Sequence, residues 1–281
     1  MNRWKRIKKA FLSDKGAIVS ISFLILLAVI SLIAPILPLN PNKTDILHLL
    51  EAPSVNHWFG TDEVGRDYLA RIIYGGRISL VVGILAMVMS TVIGVSVGMV
   101  SGFFGGVVDS VLMRIVDVIQ SIPWLILVTV VGIFMKKGLI SIIVVIGFFS
   151  WMEIARLVRA EVKSLKERDY IQYASFAGIG ALKVICRHLI PAVMPTIIVA
   201  ASSGIADAIM TESALSFLGI GIQEPLSSWG KLLQTAQSNL QNAVYMAIIP
   251  GFLIVLTIFA FNKIGNLLRI YLEPRVSEDL A

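Results

Sequence analysis

Charge is what this chain has least of. Only 15% of its 281 residues are Asp, Glu, Lys or Arg, where an average soluble domain carries about 25%. Such a surface deficit excludes an ordinary soluble enzyme or binding module. Cysteine is nearly missing too: Cys186 stands alone, so no disulfide forms within the chain. The three histidines, His48, His57 and His188, are scattered without metal-ligand spacing. There is no Gly-x-x-x-x-Gly-Lys-[Ser/Thr] phosphate loop; Gly230-Lys231 lacks both the upstream glycine and the following hydroxyl. The chain therefore does not bind ATP through such a loop. Gly-x-Ser-x-Gly and paired carboxylates at membrane depth are absent as well, which leaves an intramembrane enzyme without its reacting groups.

What is present is apolar and comes in blocks. Hydrophobic residues make up 57% of the chain, and its mean hydropathy is +0.85. Blocks of roughly 20 residues match the length a helix needs to cross a bilayer. Six spans are predicted: Gly16–Leu37, Ser79–Ser101, Val108–Met135, Gly138–Val158, Ala192–Ala214 and Ala243–Phe261. Pro123 and Pro250 should kink the third and sixth. Basic residues set the orientation. Arg3, Lys5, Arg6, Lys8, Lys9 and Lys15 precede the first span, and Arg156, Arg159, Lys163, Lys166, Arg168, Lys183 and Arg187 surround the segment after the fourth. Lys136-Lys137 run against the trend, but the inner excess outweighs them and predicts both termini and the 160–191 loop in the cytoplasm. The net charge of +6 follows from these loops and gives no reason to expect a nucleic-acid partner.

Several features inside the spans ask for a role. Ala86, Ser90, Gly94, Gly98 and Gly102 recur every four residues, a small-residue seam that lets helix backbones approach closely in lipid. Arg114 and Asp117 are spaced to pair. Asp207 and Glu212 are either interhelix polar anchors or part of a translocation path; being five apart, they do not share a helix face. Ahead of the second span, an amphipathic helix is expected from about Asp67, with aromatic and Arg residues at the membrane surface. In the outer segment Ile222–Asn242, Trp229 is the expected interfacial anchor.

The polar stretch between the fourth and fifth spans organises the chain. Tyr170, Tyr173, Ala174 and Ala177 fall on one face of a short helix. Asp169 is placed to cap its start and Gly178 to end it in a left-handed conformation. A second helical piece, Ala181 to Leu189, leads to Pro191, which suits a helix's first turn. The small residues Ala174, Ala177 and Gly178 offer a surface for close approach by another protein, although an ordinary basic connector would read similarly.

This stretch resembles the loop of binding-protein-dependent ABC importer permeases: Glu-Ala-Ala, three residues, Gly, nine residues, Ile-x-Leu-Pro. Ala174, Gly178 and Pro191 match at the family's spacing, while Gln172 stands for the Glu, Tyr173 for the first Ala, His188 for the Ile and Ile190 for the Leu. Trp58-Phe-Gly-Thr-Asp62, Gly65-Arg-Asp67 and Arg71-Ile-Ile-Tyr-Gly-Gly-Arg-Ile-Ser-Leu80 are similar to the entry segment of the C-type permeases of dipeptide, oligopeptide and nickel importers, as is Thr211 to Gly221. The resemblance implies an all-α polytopic fold of six transmembrane helices, the MetI-like type I ABC importer architecture. It implies an N-terminal unit over 1–78, a permease core over 79–268 with its coupling loop at 160–191, and a cytoplasmic tail over 269–281. It also implies a complex: this chain and a second, related permease chain in the plasma or inner membrane, two cytoplasmic ATPase chains that bind the ATP and Mg, and an extracytoplasmic solute-binding protein. The chain itself would hold no cofactor or metal. The loop residues Asp169, Tyr170, Gln172, Tyr173, Ala174, Ala177, Gly178 and Pro191 would dock the ATPase. Peptides are the first choice of solute, with nickel or another metal chelate and glutathione left open. An ion-coupled secondary transporter is the alternative of a different class.

Overall fold

The structure, a computed structural model, describes residues 14–135 and 138–272. The basic residues before Asp14, the Lys136-Lys137 turn and the tail with Arg275 lie outside them. Among the described residues the regular structure is helical, with one isolated bridge between Thr61 and Asp67. Five helices are long and apolar enough to cross a membrane, and two further helices, bent by 85° at a short break, pass the same test together.

The first span, α1 (Lys15–Ile33), starts where the Asp14 carboxylate accepts from the Ala17 N–H, and it ends in a 3-10 turn at Ala34–Ile36. An irregular segment then leads to α2 (Tyr68–Phe104), capped by Asp67, whose carboxylate accepts from the Ala70 N–H at 2.9 Å. The expected surface helix and the second span are thus one helix of 37 residues, about 55 Å long at 1.5 Å per residue. No proline interrupts it after Asp67, and the helix runs through Gly75, Gly76 and Ser79 without a break. Gly105, at φ +67°, turns the chain into α3 (Gly106–Gln120).

The Pro123 kink is a full break. Without a proline N–H the ladder stops at Gln120, and α4 (Trp124–Phe134) departs in a new direction. The expected Arg114–Asp117 pair does not form; Asp117 reaches across to Arg156 on α5 (Leu139–Lys166), with Nη2 to Oδ1 at 2.5 Å. A charge on a neighbouring helix offers a shorter path than the next turn of its own.

After the short α6 (Asp169–Phe176) come α7 (Ala181–Val184), a π-helical turn at Ile185–Leu189, and α8 (Ile190–Phe217). These last three run on as one path from 181 to 217. Helix α9 (Trp229–Ala236) precedes α10 (Tyr245–Leu272), which contains Pro250.

Helix α2 is the spine. Its longest packing is along α5, with α8 on another flank; α10 packs on α8 and carries α1 outside it. The α2–α5 contact is backbone-close. A Cβ on Gly94 would lie 2.7 Å from the Trp151 carbonyl oxygen, one on Gly98 2.5 Å from that of Ala155, and one on Gly102 2.9 Å from that of Arg159. Ala86 and Ser90 continue the same buried line, and Gly147 meets the Ala86 carbonyl from the other side. Trp229 is not an interfacial anchor. It is fully buried under Tyr68, Ile72 and Met246, and its indole N–H donates to the Ile72 carbonyl at 3.1 Å. Gly75 and Gly76 leave the room it fills.

Candidate functional site

Three kinds of assembly sit on this scaffold: a loop at one end, a cavity, and three locks that hold the helices around it.

In the loop, α6 begins at Asp169 itself. The Arg168 carbonyl accepts from the Ile171 and Gln172 N–H groups, so Arg168 occupies the cap position and Asp169 is the first-turn acid, favourable there because helix N-termini carry partial positive charge. Gly178 has φ +75°, and the Ile179 N–H donates to the Ala174 carbonyl at 3.2 Å. That is the six-to-one closure of a glycine-terminated helix. The side chains do not divide as the sequence suggests. Ala174 is only 8% exposed and packs with Ile171 into a core of Val158, Val162, Val184 and Leu189. The outward face carries Tyr170, Tyr173 and Phe176, with Tyr173 73% and Phe176 85% exposed. Ala177 and Gly178 are also exposed, and Gln172 reaches the Glu167 carbonyl at 3.3 Å. Ala174 thus faces inward and anchors the helix, while the aromatic side chains of the same turns face outward. Pro191 lies in the first turn of α8, where its missing N–H costs nothing.

The cavity, of 790 Å³, lies between α2, α5 and α8 and is roofed by the break at Pro123. Ala86 and Met87 contribute from α2, Trp124 from α4, Phe149, Ser150, Glu153 and Arg156 from α5, and Ser203, Asp207 and Thr211 from α8.

Asp207 and Glu212 part company. Asp207 lines the cavity. Glu212 is fully buried outside it, as an interhelix lock. Ser79 on α2 donates to its Oε2 at 3.1 Å and Ser216 to its Oε1 at 2.7 Å. The same serines accept backbone N–H groups, Ser79 from Trp229 and Ser216 from Ile222. One carboxyl thus ties α2, α8 and the start of α9.

Two ionic locks were not legible in the sequence. At the loop end, Asp109 on α3 accepts from Ser101, Arg159 and Lys163, the lysine Nζ at 2.5 Å. Arg159 and Lys163 are four residues apart on one face of α5, and that spacing beside a lone acid was the available signal. At the opposite end, the fully buried Arg71 donates to Glu224 at 2.7 Å, and Arg66 bridges Asp62 at 2.6 Å and Glu224 at 2.9 Å. Burial opposes ionisation of Glu224, but Arg71 and then Arg66 overcome it and hold its carboxyl below the usual glutamate range. The contacts to Glu224 join residues 153 and 158 positions apart, and no local pattern betrays them.

The comparisons with known proteins agree with this architecture. The sequence model of a family described as "Binding-protein-dependent transport system inner membrane component" matches residues 94–278. A second, described as the N-terminal TM domain of oligopeptide transport permease C, matches residues 2–53. The oligopeptide transport system permease protein OppC of Escherichia coli K12 is 38% identical over 97% of this chain and 91% of its own length. OppC of Bacillus subtilis is 34% identical over 98% and 91%. The dipeptide permease DppC of the same organism is 38% identical over 97% and 85%. Among solved structures, an inward facing conformation of the MetNI methionine ABC transporter superposes with a TM-score of 0.54 at 20% identity, over 72% of this chain and 97% of that one; it supports the type I importer fold.

Proposed function

Because this chain belongs to the binding-protein-dependent transport system inner membrane component family, we propose that it forms half of the translocation path of an ATP-driven peptide importer. The observation that carries this reading is near-full-length similarity to three oligopeptide and dipeptide permeases, on a fold whose central cavity is walled by the most tightly packed helices. The motor is a separate polypeptide. Two ATPase chains, a second permease and an extracytoplasmic binding protein complete the assembly. The 160–191 loop and both termini are cytoplasmic, and the Arg71–Glu224 lock is extracytoplasmic.

In this assembly, α6 transmits the motion of the ATPase. Its aromatic face, Tyr170, Tyr173 and Phe176, enters a groove on the motor, while Ile171 and Ala174 fasten the helix to α5 and α8. A push on the exposed face then moves the buried one, and with it the helices that wall the cavity. The test is uptake of a labelled oligopeptide into proteoliposomes containing the reconstituted complex and its binding protein. Uptake should require ATP and survive an ionophore. Uptake abolished by the ionophore, with ATP present, would favour an ion-coupled carrier.

A further inference from the structure

The cavity holds two acids that the fold does not use, Glu153 and Asp207. Its ionisable lining consists of Glu153, Arg156 and Asp207. Arg156 is committed to Asp117 at 2.5 Å, so the wall presents acidic groups with no free cation to balance them. Among the described residues Asp207 has neither an ion pair nor a side-chain hydrogen bond, and its side chain is exposed where it lines the cavity. It lies within the apolar span predicted over Ala192–Ala214, ten residues before Phe217, the end of α8. Leaving a carboxylate unpaired within such a span is costly, and such residues mark a function when they face a cavity.

We propose that Asp207 receives the cationic ammonium group of the solute as it crosses, so that this cavity favours amine-bearing molecules. The assignment rests on the peptide-importer reading, in which every solute with a free N-terminus carries such a group. The surroundings suit an ammonium, which has three N–H donors to place. Ser203 and Thr211 lie one helical turn to either side of Asp207 and line the same cavity, offering hydroxyl oxygens beside the carboxylate. Trp124 and Phe149 line it too, and aromatic faces attract cations. A metal ion fits less well: no cluster of three or more His, Cys, Asp or Glu side chains exists among the described residues. With Glu212 enclosed by serines outside the cavity, Asp207 is the acid that α8 offers to a passing solute.

The experiment uses the whole complex, in proteoliposomes with peptide-loaded binding protein at saturation and in nanodiscs. Asp207→Asn should slow tri-alanine uptake about tenfold, the scale of one charge-assisted hydrogen bond, while Asp207→Glu keeps most of the rate. Complex yield should match the wild type in both. In nanodiscs, n-hexylammonium should bind the wild-type complex about tenfold more tightly than the Asp207→Asn complex, and 1-hexanol should bind the two alike. Equal uptake by Asp207→Asn, or equal binding of n-hexylammonium, overturns the proposal. So does loss of the second permease chain from the Asp207→Asn complex, which would make the carboxylate an interchain tie. A wild type that imports no peptide sinks the importer reading instead, and the nanodisc measurement still decides whether Asp207 binds amines.

Discussion

Replacing Gly98 by alanine tests whether the α2–α5 contact is as close as it looks. The added methyl would sit 2.5 Å from the Ala155 carbonyl oxygen and 2.9 Å from the Val158 Cβ. Carbon–oxygen contacts between packed backbones normally begin at about 3.3 Å, so the helices must part by roughly 0.8 Å along that line. Neither obstacle is the end of a flexible side chain; one is backbone and the other is a β-branched carbon. Separation would propagate to Gly94 and Gly102, whose own distances to α5 are set by the same contact. Overpacking of this kind costs about 1–3 kcal/mol, and because backbone must move we expect the upper half of that range. Gly180→Ala is the control. Nothing lies within 4 Å of a Cβ there and its φ is −58°. A small loss of capping and a small gain in unfolded-state entropy leave it within about 0.5 kcal/mol of wild type. Thermal unfolding of the nanodisc-embedded protein, followed by tryptophan fluorescence, reads both variants. At about 2–4 °C per kcal/mol, Gly98→Ala should fall clearly below Gly180→Ala. Coincident transitions for the two would refute a backbone-close seam.

Further outcomes follow from the other assemblies. Phe176→Asp and Tyr173→Ala should lower peptide-stimulated ATP hydrolysis or release the ATPase while leaving the permease as stable as wild type, because these side chains project outward; Ala174→Trp should lower thermal stability as well, because Ala174 is buried. A protein destabilised by Phe176→Asp would mean the aromatic face is internal. Glu212→Ala should cost about 1–3 kcal/mol by leaving Ser79 and Ser216 without their acceptor, with Glu212→Gln milder, both read by unfolding; an unchanged midpoint in Glu212→Ala would show that the lock contributes nothing. The carboxyl of Glu224 is held below its ordinary value, so its contribution is complete above the unfolded glutamate range and fades as pH falls through the lowered value. The stability gap between wild type and Glu224→Gln should therefore be full at neutral pH and close under acid, and a gap that widens under acid contradicts the sign. For orientation, Val55→Cys, at a position 91% exposed, should react with an impermeant thiol reagent in intact cells while the exposed Cys186 does not; Asp62 would be a poor reporter because it is 1% exposed.

The amino-acid sequence alone determined the class of molecule. Apolar blocks of membrane length, proline at 123 and glycine at 178 act within a few residues of themselves, through hydropathy and backbone conformation. The helices, the break and the left-handed helix end were therefore all legible before any contact was known. The spacing at Ala174, Gly178 and Pro191, with the segments from Trp58 to Leu80, was enough to place the family. Tertiary structure decided what local pattern leaves degenerate. Tyr170, Tyr173, Ala174 and Ala177 share a helical stripe, yet only packing against Val162 and Leu189 makes Ala174 an anchor and leaves the aromatics outside. Trp229 has an interfacial composition around it, but two glycines on α2 open a slot that takes the indole whole. Asp207 and Glu212 are equivalent acids in one apolar helix until their neighbours are known. Serines from α2 and α8 satisfy Glu212, while Asp207 lines a cavity beside the break at Pro123 and finds no partner. Side-chain fate at such positions depends on partners far away in the chain, and the one-dimensional pattern holds no record of that distance.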